Sequence, residues 1–209
     1  MLVSLRDPAN ALTGFGLILA VIALAWVLDG NCRWAAVFAL IALMIDHIDG
    51  PVARRLRGRG EVEKKMGAAL DSFADIVSAG AWPVVLILAA TGSSVLGVLT
   101  ASALVLASAT RLSYFSIVGL DGGHRFTGLP VTYTVPVFSL AIVVSAHFDL
   151  TLKHLLLPAA WLIAVCQVAP IKVRALAGIG YAVVTAVVAI LIAFLATAQT
   201  DPLAHGSLR

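Results

Sequence analysis

Seven apolar runs, at residues 11–29, 34–54, 67–91, 94–118, 130–148, 153–170 and 175–198, follow one another with only short polar breaks between them. About 18 apolar residues suffice to cross a hydrocarbon core of roughly 30 Å as a helix, and every run reaches that length. Inside lipid each backbone N–H and C=O must find its partner within the protein, which leaves helices or a closed barrel. A barrel would alternate apolar and polar residues in segments of about ten, and no such alternation occurs. The sequence therefore predicts an all-α polytopic membrane protein. Composition agrees: of 209 residues, 61% are hydrophobic and 12% charged, against about 25% charged in soluble domains. The short breaks predict one integral membrane domain over 1–209, with loose stretches only at 1–9 and 200–209. The first run carries neither a basic leader nor a small-residue cleavage site and reads as a retained span. Cys32 and Cys166 supply neither a disulfide framework nor a thiolate metal cluster.

Basic residues orient the bundle. With the amino terminus cytoplasmic, one side carries Arg6, Arg54, Arg55, Arg57, Arg59, Lys64, Lys65, Arg111, Arg125, Lys172 and Arg174, and the other only Arg33, Lys153 and Arg209. This positive-inside bias puts the 55–66 and 119–128 loops in the cytoplasm and, with seven spans, the carboxyl terminus outside. The basic loop itself reads as a topology determinant, with attraction to anionic headgroups secondary. Nothing else points to nucleic acid.

Four aspartates interrupt the apolar pattern: Asp46 and Asp49 near the end of the second run, Asp71 and Asp75 near the start of the third. An aspartate at a membrane-helix centre costs about 2.5–3.5 kcal/mol on insertion scales, so these four require a partner or a wet cavity. Spacings of three and four residues put each pair on one helix face. Two helices joined by a short loop can turn those faces together, so that four carboxylates converge. Like charges that close require a cation. An all-oxygen donor set favours Mg²⁺ or Mn²⁺, and a pair of such ions is a recurrent solution for in-line displacement at phosphorus. Two other readings remain open at this point: structural ion pairs with Arg54 and Arg55, and a path for divalent ions or protons. Gly50 and Gly67 sit where a bulky ligand would approach backbone, Ala53 keeps the same face narrow, and Arg54 suits a forked pair with phosphate. His47, one position from Asp46, points about 100° away from it and is not expected to ligate metal. Arg111, placed at the cytoplasmic end of the fourth helix, suits an acceptor carboxylate or phosphate, or else snorkels as an anchor. Thr132 and Tyr133, early in the fifth span, suit a role in acceptor choice, with the interfacial aromatic belt as the alternative for Tyr133.

The stretch Asp46-His-Ile-Asp49-Gly50-Pro-Val-Ala53-Arg54, twelve further residues, and Gly67-Ala-Ala-Leu-Asp71-Ser-Phe-Ala-Asp75 resembles the signature of the CDP-alcohol phosphatidyltransferases at every signature position. The gap between Arg54 and Gly67 is longer than is usual in that signature. Pro8-Ala-Asn10-Ala-Leu-Thr13 resembles the family's first-helix start. Leu70–Ser78, Arg111-Leu-Ser-Tyr-Phe115 and Phe126-Thr-Gly128-Leu129-Pro130 look most like its phosphatidylserine synthase branch. Ser116 stands where that branch has asparagine, and Thr132, Tyr133 and Thr134 stand where it has small residues.

The resemblance implies a six-helix core, usually homodimeric, with a cavity open to the cytoplasm and the seventh run peripheral. It implies an enzyme of a bacterial or archaeal-type cell membrane that moves a phosphatidyl group from CDP-diacylglycerol to an alcohol and releases CMP. The acceptor would be L-serine, with glycerol 3-phosphate and inositol phosphate as alternatives. Asp46, Asp49 and Asp71 would bind metal; Asp75 would touch a second metal and act as general base. Gly50 and Arg54 would contact CDP, Ala53 and Gly67 would make room for the nucleotide, and Asn10 and Thr13 would line it.

Overall fold

The computed structural model describes residues 5–176, 178–198 and 200–203. The expected loose ends at 1–4 and 204–209, with Arg209, lie outside them. Among the described residues seven helices form the bundle: α1 (Pro8–Leu28), α2 (Cys32–Arg55), α3 (Glu61–Thr91), α4 (Val95–Val118), α5 (Thr134–Phe148), α6 (Leu152–Val168) and α7 (Ile179–Thr197). The helix starts are written in the sequence. Asp7 accepts the Asn10 backbone N–H just ahead of Pro8, Asn31 accepts that of Trp34, and Ser94 that of Gly97. α1 packs on α2 through small residues: Gly16 lies against Ile45 and Ala42, and Ala20 shares a buried cluster with Ala42 and Ile45.

Six helices are long and apolar enough to cross a membrane; α6, at 17 residues, is shorter. It nevertheless runs the height of α5. The tight turn at 149–151 begins it beside the end of α5, and the bond from the Leu129 N–H to the Cys166 carbonyl ends it beside the start. The outer surface is apolar, with Ile18, Leu106, Leu162, Ile190 and Phe194 all exposed, as suits lipid and not water. The protein is an integral membrane protein.

Four departures from the sequence expectation bear on function. α3 begins at Glu61, six residues ahead of its apolar run, because Glu61 and Glu63 in its first turn complement the helix dipole and carry it beyond the hydrophobic stretch. The basic loop, expected over 55–66, shrinks to 56–60 accordingly. Within α3 the segment Ile76–Ala81, directly after Asp75, is π-helical and precedes Pro83, which has no N–H to give the preceding turn. The extra residue in that turn rephases the helix, so that Asp75 faces a cavity while Trp82 and Leu86 enter the core. The expected loop 119–128 contains β1 (Arg125–Thr127), which pairs antiparallel with β2 (Lys172–Arg174); three-residue strands lie below what an apolar pattern reveals. Because β2 occupies 172–174, α7 starts at Ile179 and not at 175.

Candidate active site

α2 and α3 carry the four aspartates, and their packing brings together one carboxylate oxygen each from Asp46, Asp49 and Asp71 within 4.8 Å of one another. Asp75 lies one turn beyond Asp71 and lines the same cavity. Asp49 is buried, with 7% of its surface exposed. Its Oδ2 accepts the Thr13 hydroxyl at 2.5 Å, so α1 fixes the orientation of this carboxylate. Thr13 was expected at the nucleotide; its hydroxyl is engaged with Asp49.

Among the described residues no ion pair joins Arg54 or Arg55 to any of the four aspartates, which removes the support for a purely structural pairing. Three carboxylates this close, made of hard oxygen donors and with no arginine or lysine at salt-bridge distance among the described residues, fit a divalent cation. His47 stays off the set: its Nδ1 is 2.8 Å from the Leu43 carbonyl and 3.9 Å from Asp46 Oδ2, and its ring meets Tyr181 edge-on.

Two cavities meet at this cluster, with Asp49, Gly50, Arg54 and Asp71 in the walls of both. One, of about 260 Å³, gathers all six residues expected at the nucleotide: Asn10, Thr13, Gly50, Ala53, Arg54 and Gly67. The other, of about 270 Å³, adds Asp46, Asp75 and Arg111, with Thr132 and Tyr133 from the start of the fifth span.

Arg111 does not end its helix and does not snorkel. α4 continues for two further turns, and the side chain is 5% exposed. Its guanidinium carbon lies 5.1 Å from the ring centres of both Phe115 and Phe126, a cation–π sleeve whose rings are themselves 5.3 Å apart. Its Nε and Nη2 are buried with no hydrogen-bond partner among the described residues. A buried arginine at a cavity wall, its charge against two aromatic rings and two of its donors unsatisfied, suits an anion as partner. The wall around it is closed by the β1–β2 ribbon. Gly128, with φ +79°, lets the chain pass against the Gln167 backbone, and Lys172 ties the ribbon to Asp121 at 2.8 Å. Below Arg111 the Ser108 hydroxyl donates to Gln167 Oε1, and Gln167 Nε2 donates to Thr134, bracing α4, α5 and α6 together.

Sequence reasoning missed Arg174 and Tyr181, which line this second cavity. The last helix was expected to be peripheral. It is the least buried span, yet its first turn reaches the site. Only the folded ribbon brings these residues near, so no local pattern marks them. Phe115 and Phe126 did fall within the stretches that resemble the serine branch, and their shared contact with Arg111 is the signal those stretches held.

A family profile described as CDP-alcohol phosphatidyltransferase matches residues 7–199. An archaetidylserine synthase of Methanothermobacter thermautotrophicus is 35% identical over 128 residues, 61% of this chain and 51% of its own. A CDP-diacylglycerol–serine O-phosphatidyltransferase of Saccharomyces cerevisiae is 34% identical over 143 residues, 63% of this chain and 50% of its own. The chain spans about half the length of these curated relatives. With nearly the whole chain matched and every signature residue gathered around two joined cavities, it belongs to the CDP-alcohol phosphatidyltransferase family.

Proposed function

We propose that this protein transfers a phosphatidyl group from CDP-diacylglycerol to the hydroxyl of L-serine and releases CMP, from a site facing the cytoplasm. The observation that carries the reading is the pair of cavities sharing Asp49, Gly50, Arg54 and Asp71: a donor side and an acceptor side with carboxylates between them. Serine, as acceptor, is supported by the two unpartnered donors of Arg111, which suit an α-carboxylate, and by the printed activities of the two relatives. The cytoplasmic assignment rests on the basic residues Arg54, Arg55, Arg57, Arg125 and Arg174 at the cavity end. Homodimerisation is proposed on the family resemblance alone.

In this reading Asn10, Gly50, Ala53, Arg54 and Gly67 take the cytidine nucleotide and its pyrophosphate. Asp46, Asp49 and Asp71 would hold divalent cations, Mg²⁺ or Mn²⁺, with Asp75 reaching a second ion. Such ions, when bound, would neutralise the pyrophosphate and the charge that builds on departing CMP. Arg111 anchors the serine carboxylate and thereby aims the hydroxyl at phosphorus. A serine hydroxyl is a poor nucleophile at neutral pH, so Asp75 takes its proton as the new O–P bond forms and the bond to CMP breaks. The proton then passes from Asp75 to water, completing one turnover with phosphatidylserine, CMP and a proton as products. Arg54, in the walls of both cavities, steadies the phosphoryl oxygens.

The test is CMP release by purified protein in mixed micelles containing CDP-diacylglycerol and Mg²⁺ or Mn²⁺. Serine, glycerol 3-phosphate, inositol phosphate and no acceptor are offered in parallel. Serine-dependent release supports the proposal. Release with another acceptor keeps the chemistry and overturns serine; no release with any, together with divalent-ion or proton flux, moves the aspartates to a transport role.

A further inference from the structure

The stretch between Arg54 and Gly67 puts into the nucleotide cavity a residue, Arg59, that is not among the signature positions. Arg59 leaves the 56–60 loop and turns inward, its side chain only 10% exposed, to line the cavity beside Asn10, Arg54 and Gly67. Its Nε donates to Asp7 Oδ2 at 3.0 Å, and its Nη2 lies 2.9 Å from Asp7 Oδ1 and donates to Asn10 Oδ1 at 2.8 Å. Asn10 in turn donates from Nδ2 to the Glu63 carbonyl at 3.1 Å. One guanidinium thus joins the residue that caps α1, a cavity-facing amide on α1 and the first turn of α3. The arrangement closes over Gly67, where an added Cβ would stand 2.5 Å from Asn10 Oδ1 and 3.1 Å from Arg59 Nη2. Gly67 therefore makes room for the Asn10–Arg59 contact as well as for any ligand.

An exposed loop arginine that served only topology would extend into solvent or toward headgroups. This one is spent on a forked carboxylate pair and an amide oxygen, at a cost in side-chain entropy that a surface anchor does not incur. The Asp7 carboxylate responds: burial opposes its charge, but the Asn10 backbone N–H and Arg59 outweigh that and hold it below the ordinary carboxylate range.

We propose that Arg59, held by Asp7, is a positioning residue of the nucleotide site, fixing the Asn10 amide and the mouth between α1 and α3 in the geometry that receives the cytidine nucleotide. The inference rests on the reading of this cavity as the nucleotide side. The contact needs both nitrogens of the fork on one edge, so lysine reproduces the charge and not the geometry.

The experiment titrates CMP into detergent-purified protein with Mg²⁺ by calorimetry, for wild type, Arg54→Ala, Arg59→Ala, Arg59→Lys and Asp7→Asn, with KM for donor and for serine measured on each. Arg59→Ala is expected to weaken CMP binding and raise the donor KM by about tenfold, with kcat and serine KM near wild type. Arg59→Lys should recover part of the loss, and Asp7→Asn should shift binding in the same direction by less. A purely structural role would lower Tm and the active fraction while leaving CMP affinity unchanged, and that result in Arg59→Ala overturns the inference. Should Arg59→Ala fail to fold, wild-type CMP affinity in both Arg59→Lys and Asp7→Asn overturns it equally. CMP uptake by wild type that is lost in Arg54→Ala upholds the nucleotide reading independently. No uptake by wild type overturns that reading and this inference with it.

Discussion

The two sides of the site are built in opposite ways. The proposed donor side comes from the first third of the chain: Gly50, Ala53 and Arg54 on α2, Gly67 on α3 and Asn10 on α1, all before residue 70. The proposed acceptor side is assembled from far apart in the chain, with Arg111 on α4, Phe126 on β1, Thr132 and Tyr133 before α5, and Arg174 and Tyr181 beyond α6. A nucleotide handled by adjacent helix turns can leave a compact signature. An acceptor pocket closed by a three-residue ribbon leaves none, and is free to change its lining without disturbing the donor chemistry.

That contrast can be broken most forcefully at the point the two sides share. Asp75→Asn should lower kcat by about 10²–10⁴-fold with either acceptor or donor saturating, because the proton acceptor serves both substrates; a loss confined to one KM would assign Asp75 to one side. Removal of divalent ions by chelation should abolish CMP release, and Mg²⁺ or Mn²⁺ should restore it. Next in size is Gly128→Ala, which sets a side chain at φ +79° against the Gln167 backbone. It should cost up to about 3 kcal/mol in thermal stability, read by calorimetry, and raise the serine KM before the donor KM. Gly67→Ala tests the other half: displacing the Asn10–Arg59 contact should raise the donor KM by about tenfold and leave the serine KM alone.

The smallest effect is at Asp7. Because its folded carboxyl titrates below the ordinary range, its contribution to stability is present above the unfolded value and fades as pH falls through the folded one. The Tm difference between wild type and Asp7→Asn should therefore be positive at neutral pH and shrink below about pH 4.

How much of this the sequence disclosed follows the same division. The spans, the convergence of Asp46, Asp49 and Asp71 and the gathering of Asn10, Thr13, Gly50, Ala53, Arg54 and Gly67 around one cavity were legible, because hydropathy, helical spacing and a compact signature are local quantities. The early start of α3 was not, since a helix that leaves the apolar layer on charged residues looks like loop to a hydropathy window. Nor was the burial of Arg111, which depends on aromatic rings from two separate segments. Arg59 was counted with the basic loop; its inward turn depends on Asp7, fifty-two residues away.

The most direct test of the two-sided site is a pair of KM measurements on Arg54→Ala and Arg111→Ala, in CMP release with CDP-diacylglycerol and serine each varied. The account predicts that Arg111→Ala raises the serine KM by about tenfold or more with the donor KM near wild type, and that Arg54→Ala raises the donor KM. If Arg111→Ala leaves the serine KM unchanged, or if both variants shift the same constant, donor and acceptor do not occupy the two cavities as described.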